Sequence, residues 1–194
     1  MSYQPKDFNS LLGVEGLSDE MLNNHFTLYQ GYVKNTNSLL EKLRKMVDED
    51  DVDPIYFSEL KRRLGWEWNG MRLHELYFEN MVKGGKGLDK DSELYKKIGK
   101  DFGSFENWEK DFRAIGVMRG IGWVILYHDN INDRLINVWI SEHDAGHLSG
   151  CKPILIMDVF EHAYMLDFGL SRADYIDTFM NIIDWEAVGK RINK

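Results

Sequence analysis

Cysteine is nearly absent. Cys151 stands alone, which excludes an internal disulfide and gives no basis for a thiolate metal site. No apolar run approaches the roughly 20 residues that cross a bilayer as a helix. The opening Met1-Ser2-Tyr3-Gln4-Pro5-Lys6-Asp7 lacks the basic start and apolar centre of a signal peptide. These absences predict a cytoplasmic protein without a membrane partner. Positive charge is also short: 24 Lys and Arg against 32 Asp and Glu leave a formal net charge of −8. Binding to phosphate backbones needs clustered cations, so nucleic acid is not an expected partner, and an anionic membrane surface is disfavoured on the same ground. What the 194 residues do carry is 43% hydrophobic and 13% aromatic side chains. That is enough for one sizeable core, or for two small ones sharing an interface.

The chain is organised around Asp158-Val159-Phe160-Glu161-His162-Ala163-Tyr164, which follows the apolar run Ile154-Leu155-Ile156-Met157. Four apolar residues after Pro153 read as a buried strand, which leaves Asp158 at its end with its carboxylate able to turn inward. If the next turn winds helically, His162 at i+4 comes beside that carboxylate. Oxygen and nitrogen donors of this kind suit iron, manganese or zinc. An Asp capping a helix beside a core His explains the same two residues equally well.

The longer string narrows this. Asp158 to Tyr164, then Ser171-Arg172-Ala173-Asp174-Tyr175 and Asn181-Ile182-Ile183-Asp184-Trp185-Glu186-Ala187-Val188, resembles the C-terminal signature of the iron/manganese superoxide dismutases. In that family the Asp and His of D-x-W-E-H-A-Y are two of four protein ligands to one redox metal. The other two are histidines of the N-terminal half.

Ser18-Asp19-Glu20-Met21 predicts a helix start. Leu22, His25, Tyr29, Tyr32, Thr36 and Leu39/Leu40 then recur at helical spacing, which places His25 on the inward stripe. Asn24-His25-Phe26-Thr27-Leu28-Tyr29-Gln30-Gly31-Tyr32-Val33-Lys34-Asn35 is similar to the family's first helix and implies His25 as a ligand; an alternative alignment places Asn24 there. Relatives separate ligand His and Tyr by eight residues, whereas His25 and Tyr32 are seven apart. Seven residues nearly close two turns, while eight end roughly 80° away from the starting face, so this helix is expected to lack a bulge that relatives carry. An acidic turn, Val47-Asp48-Glu49-Asp50-Asp51-Val52-Asp53-Pro54, follows, with Pro54 read as a stop signal. A second helix is predicted over 55–82. Its Trp68-Asn69-Gly70-Met71-Arg72-Leu73-His74-Glu75-Leu76-Tyr77-Phe78 resembles the family's second ligand segment and implies His74.

Lys83-Gly84-Gly85-Lys86-Gly87 reads as a flexible joint. The expected organisation is a helical-hairpin domain over 1–86 and an α/β domain over 87–194. A helix is expected over 92–100, the stretch 102–112 is again similar to the family, and then comes a hairpin of 122–127 and 134–140, which with 154–157 makes a three-stranded antiparallel sheet. The fold class is α+β. Trp123 matches an aromatic of the family's metal pocket, although a Trp there is ordinarily core. His143 matches the Gln or His that hydrogen-bonds metal-bound solvent, and Gly70 leaves room for that donor. His128 and His147 read as surface histidines.

The resemblance implies a superoxide dismutase with one Fe or Mn ion per subunit held by His25, His74, Asp158 and His162. Tyr32, His143 and Trp123 would serve the chemistry around it. Ile156 beside Asp158 favours iron, the Gly70/His143 pair favours manganese, and the balance leans to iron. Superoxide is an anion, so a chain of this charge needs local cations near the site, with Lys34 and Arg172 as candidates. A homodimer is expected, with Glu161 reaching the partner's ligand His. The usual first-helix His, four residues after the ligand, is Tyr29 here, and the Tyr it pairs with across the interface is Met165, which implies a rebuilt gateway. The competing reading is a metal-binding or metal-free scaffold of the same fold without dismutase activity.

Overall fold

The computed structural model describes residues 2–192. The first helix, α1 (Asp19–Asp48), begins as predicted: Ser18 Oγ accepts the Met21 N–H at 3.1 Å, and Asp19 and Glu20 stand in the first turn. It runs 30 residues as uninterrupted α-helix. Without a bulge, the seven-residue spacing keeps His25 and Tyr32 on one face. Leu22, His25, Tyr29, Thr36 and Leu39 are buried, while Leu40 lies outside the stripe and is exposed.

The helix α2 (Pro54–Phe78) starts on the proline read as a stop. Asp53 caps it by accepting the Tyr56 N–H at 2.7 Å, and Pro54 sits in the first turn, where its missing N–H has no intrahelical partner to lose. The helix ends at Phe78, short of 82, because Val82 N–H turns to Ile182 O at 2.9 Å. The glycine-rich segment is docked here. Gly85 lies so close to Asn181 that a Cβ would stand 2.2 Å from its carbonyl oxygen, and Lys86 N–H reaches Ile183 O at 2.8 Å. Glycine at 85 serves close approach and a positive φ of 58°, not looseness.

Helices α3 (Glu93–Phe102) and α4 (Phe105–Gly116) lead to β1 (Gly122–Asp129), β2 (Arg134–Ser141) and β3 (Cys151–Asp158). These form one antiparallel sheet in the order β2-β1-β3, the architecture expected. Pro153 is inside β3, which is tolerable because β3 is an edge strand and the register slips opposite Leu126 and Tyr127. The same pairing sets Trp123 opposite both Ile140 and Asp158. Past the sheet come α5 (Met165–Phe168), α6 (Arg172–Asn181) and α7 (Trp185–Gly189).

Two local expectations differ. The chain after Asp158 does not wind into an α-helix: Phe160 is extended, and only Glu161–Ala163 forms a single 3-10 turn. His128 is buried and donates from Nε2–H to Asp133 at 2.8 Å, and His147 is half-buried with both ring nitrogens engaged, so neither is a free surface histidine. Arg191 ties the two halves together. It donates to Ile154 O at 2.8 Å and Leu76 O at 3.1 Å and also binds Asn80, whose own amide reaches Ile156 O at 2.6 Å. The helix bearing His74 and the strand bearing Asp158 are thereby joined. Among the described residues no helix is long and apolar enough to cross a membrane.

Candidate metal centre

Four side chains converge between the hairpin and the sheet: His25 from α1, His74 from α2, Asp158 at the end of β3 and His162 in the 3-10 turn. One donor atom from each lies within 4.8 Å of all the others. The focus is Asp158 Oδ2, which stands 3.2 Å from His25 Nε2, 3.2 Å from His162 Nε2 and 3.7 Å from His74 Nε2. Donors bound at about 2 Å to one ion are separated by roughly 3 to 4.4 Å, and the three contacts of Asp158 Oδ2 fall in that range.

Two of the donors, His74 and Asp158, are oriented from behind. His74 Nδ1–H donates to the Gly70 carbonyl at 2.6 Å, which leaves Nε2 as a bare lone pair facing the site. Asp158 Oδ1 accepts the Phe160 N–H at 2.8 Å, and the Asp158 carbonyl accepts the Tyr175 hydroxyl at 2.7 Å. Since Tyr175 gives its proton to that carbonyl, Tyr77 donates to Tyr175 across their 3.0 Å contact. A loop end that could swing is fixed on both its carboxylate and its backbone.

The electrostatics favour a cation. His25 Nε2 and His74 Nε2 are buried without a hydrogen-bond partner. A buried polar atom without a partner is costly, and a metal ion supplies what both lack. Burial lowers the basicity of His25 and lowers that of His74 well below the ordinary value, so both present neutral imidazole. Burial alone would raise Asp158, but the adjacent His162 and His25 outweigh it and hold the carboxyl well below its usual range. Burial likewise opposes protonation of His162, and the Asp158 charge overcomes it and raises that imidazole. One carboxylate and three imidazole nitrogens are the donor set that iron and manganese accept.

Beside this cluster runs a second one. Trp123 Nε1–H donates to His143 Nδ1 at 3.0 Å, and His143 Nε2 meets the Tyr32 hydroxyl at 2.9 Å. Indole is donor only, so Nδ1 of His143 is bare and Nε2 carries the ring proton. Tyr32 therefore accepts from His143, and its own proton is free to turn elsewhere. Burial pushes His143 down to about 4 and pushes Tyr32 above its ordinary value, so both are neutral near pH 7. Gly70 does leave room, but for Tyr32: a Cβ at position 70 would meet Tyr32 Cδ1 at 2.6 Å.

Other members of the site carry no signal in the sequence pattern. Trp66 packs edge-on against His143 with ring centres 4.5 Å apart, and its Nε1–H donates to Glu142 at 3.0 Å. Phe160 stacks on both His143 and His162. Tyr29 turns into its own chain, donating to Glu75 at 3.0 Å and accepting the Lys6 N–H at 2.9 Å, while Met165 lies exposed. Of the two candidate cations, Arg172 spends its guanidinium on the Met118 and Gly120 carbonyls and the Tyr164 hydroxyl, and Lys34 is exposed on α1. Arg63 holds its guanidinium 3.9 Å above the ring of Trp66, which packs on His143, and pairs with Glu67.

A helical hairpin and an α/β unit that together enclose three histidines and one aspartate define a protein with a site for a single metal ion. The family model for the α-hairpin domain of iron/manganese superoxide dismutases matches residues 15–82, and that for their C-terminal domain matches residues 90–191. The chain belongs to the iron/manganese superoxide dismutase family. Among its relatives, the "Superoxide dismutase [Mn]" of Haloarcula marismortui is 36% identical over 98% of this chain and 91% of its own length. The "Superoxide dismutase [Fe]" of Saccharolobus solfataricus is also 36% identical, over 92% of this chain and 86% of its own length. The iron enzyme of Aquifex aeolicus is 35% identical over 98% and 91%. Both metals occur among these names.

Proposed function

We propose that this protein disproportionates superoxide to O2 and hydrogen peroxide at one iron or manganese ion held by His25, His74, Asp158 and His162. The observation that carries the reading is the pair of buried, partnerless nitrogens on His25 and His74 aimed at Asp158 Oδ2. Iron or manganese supplies the one-electron couple that oxidises one superoxide and reduces the next.

The chain supplies the rest. Asp158 contributes the single negative charge of the donor set, and the Gly70 carbonyl on His74 Nδ1 strengthens that imidazole as a ligand. Trp123 fixes the His143 tautomer. Tyr32 accepts from His143 Nε2–H and keeps its own hydroxyl proton free, so it would offer that proton to a superoxide being reduced, with His143 behind it. Phe160 and Trp66 cover the His143 ring and limit water.

The reading includes a homodimer and a cytoplasmic location, with the domain division at 86/87. Glu161 is exposed beside an apolar groove of Met21, Asn24, His162, Met165 and Leu166, which a second copy would cover. A lone free cysteine supports a reducing compartment. We place iron ahead of manganese on the bulk of Ile156 beside Asp158. The deciding experiment loads purified protein with iron or manganese in turn, measures metal per chain, and assays superoxide consumption by each form. Stoichiometric metal with no dismutation by either form would overturn the reading.

A further inference from the structure

The loop between β2 and β3 carries His143, and its backbone is held from an unexpected side. Ser141 and Ala145 close the loop with two reciprocal backbone hydrogen bonds, at 2.8 and 3.2 Å, and Glu142 takes a left-handed φ of 51° to let it turn. His143 is fully buried within an otherwise exposed stretch. Its carbonyl oxygen is met at 2.9 Å by His147 Nε2. The other nitrogen of that ring, Nδ1, is 2.6 Å from the hydroxyl of Tyr127, a buried residue of the central strand.

The chemistry of the partners fixes every proton along this line. A carbonyl only accepts, so His147 Nε2 bears hydrogen and donates. Neutral His147 then has a bare Nδ1, which accepts from the Tyr127 hydroxyl. His147 is thus a strut spanning from the sheet core to the backbone of the residue that contacts Trp123 and Tyr32. We propose that His147 is a positioning residue for the dismutase reaction: with Tyr127 it holds the His143 backbone so that the His143 ring keeps both its bonds.

The dependence is geometric. His143 Nδ1 must face Trp123 while Nε2 faces Tyr32, and these contacts, 3.0 and 2.9 Å long, come from different elements. A small rotation of the loop cannot preserve both. Trp66 holds the neighbouring Glu142 side chain, but nothing in that contact reaches the His143 carbonyl. A half-exposed histidine needs no protein partner for either nitrogen, since water serves, and here one nitrogen binds the His143 carbonyl while the other is anchored on Tyr127 in the central strand.

This inference rests on the dismutase reading, and the test separates the two. His147→Ala, His147→Gln and Tyr127→Phe are prepared as metal-loaded full chains beside the parent. Metal content, steady-state kcat and KM, and the pH dependence of the visible absorption of the bound metal are measured for each. His147→Ala should keep its metal, lose roughly tenfold in kcat with KM little changed, and shift the optical pH profile, the scale seen when outer partners of a metal site are removed. His147→Gln, whose amide can donate at one atom and accept at another, should recover most of the loss. Tyr127→Phe, which removes one hydroxyl from the line, should fall between and carries the test if His147→Ala fails to fold. Parental kcat and optical profile in His147→Ala, or in a metallated Tyr127→Phe should the Ala variant not fold, overturn the proposal. So does a folded, metallated His147→Gln no better than His147→Ala. A parent without dismutase activity defeats the functional reading instead, and the optical profiles still decide the role of His147.

Discussion

Gly70 and Tyr32 are in contact across the hairpin in a way that only glycine permits: a β-carbon on one would lie 2.6 Å from the ring of the other. The absent side chain lets Tyr32 lie nearly parallel to His74, ring centres 5.1 Å apart, with its hydroxyl on His143. Gly70→Ala therefore should displace that ring. Overpacking of this kind costs about 1 to 3 kcal/mol, read by denaturant unfolding. Activity should fall while metal content holds. An alanine variant matching the parent in both stability and turnover would mean that Tyr32 has slack its surroundings do not reveal.

Removal of a donor and removal of its neighbour should differ in kind. His25→Ala and His74→Ala should purify with little iron or manganese, because each leaves the ion one nitrogen short. His143→Ala should hold metal near the parental level and lose turnover. Elemental analysis beside an activity assay distinguishes them. Metal loss in His143→Ala as severe as in His74→Ala would make His143 a ligand.

The depressed basicity of His143 gives a pH signature. Its folded value, about 4, lies below the ordinary imidazole value of 6.5, so between those limits the unfolded chain binds the extra proton and stability drops as pH falls. The contribution is fully present above about pH 6.5 and is lost by about pH 4, amounting to at most about 3 kcal/mol. His143→Gln cannot titrate. Unfolding free energies of parent and variant should therefore converge or cross as pH falls through this window, and a constant difference would contradict the assignment.

Assembly offers a fourth test. If Glu161 accepts a ring N–H of the partner's ligand histidine, Glu161→Ala should weaken both dimerisation and metal retention. Light scattering at micromolar concentration should report a dimer for the parent. A monomeric parent that is fully metallated and active would give Glu161 another role.

Much of this was legible in the chain itself because strong local signals agreed. The Ser18 cap, the inward stripe of α1 and the three apolar strands each appear where their spacing placed them, and the four donors meet as the matched strings implied. The failures share a cause. Asp158 and His162 meet through an extended residue and one 3-10 turn, a path that i, i+4 spacing cannot tell from an α-helix. Pro54 can end one helix or begin the next, and Asp53 decides for the second only once its carboxylate is seen on Tyr56. His147 and Trp66 owe their roles to contacts with residues 20 and 76 positions away, on Tyr127 and Glu142, and no periodicity encodes those.

The donors are also far apart along the chain, His25 and His74 in the first half and Asp158 and His162 near its end. During synthesis a ribosome exposes two imidazoles long before the carboxylate that would hold an ion against them. The hairpin alone offers two of the four donors, and Arg191, which bridges β3 and α2, is made later still. Metal choice is thereby deferred until β3 and the turn after it have emerged, and a fragment ending at residue 150 should keep neither iron nor manganese through dialysis.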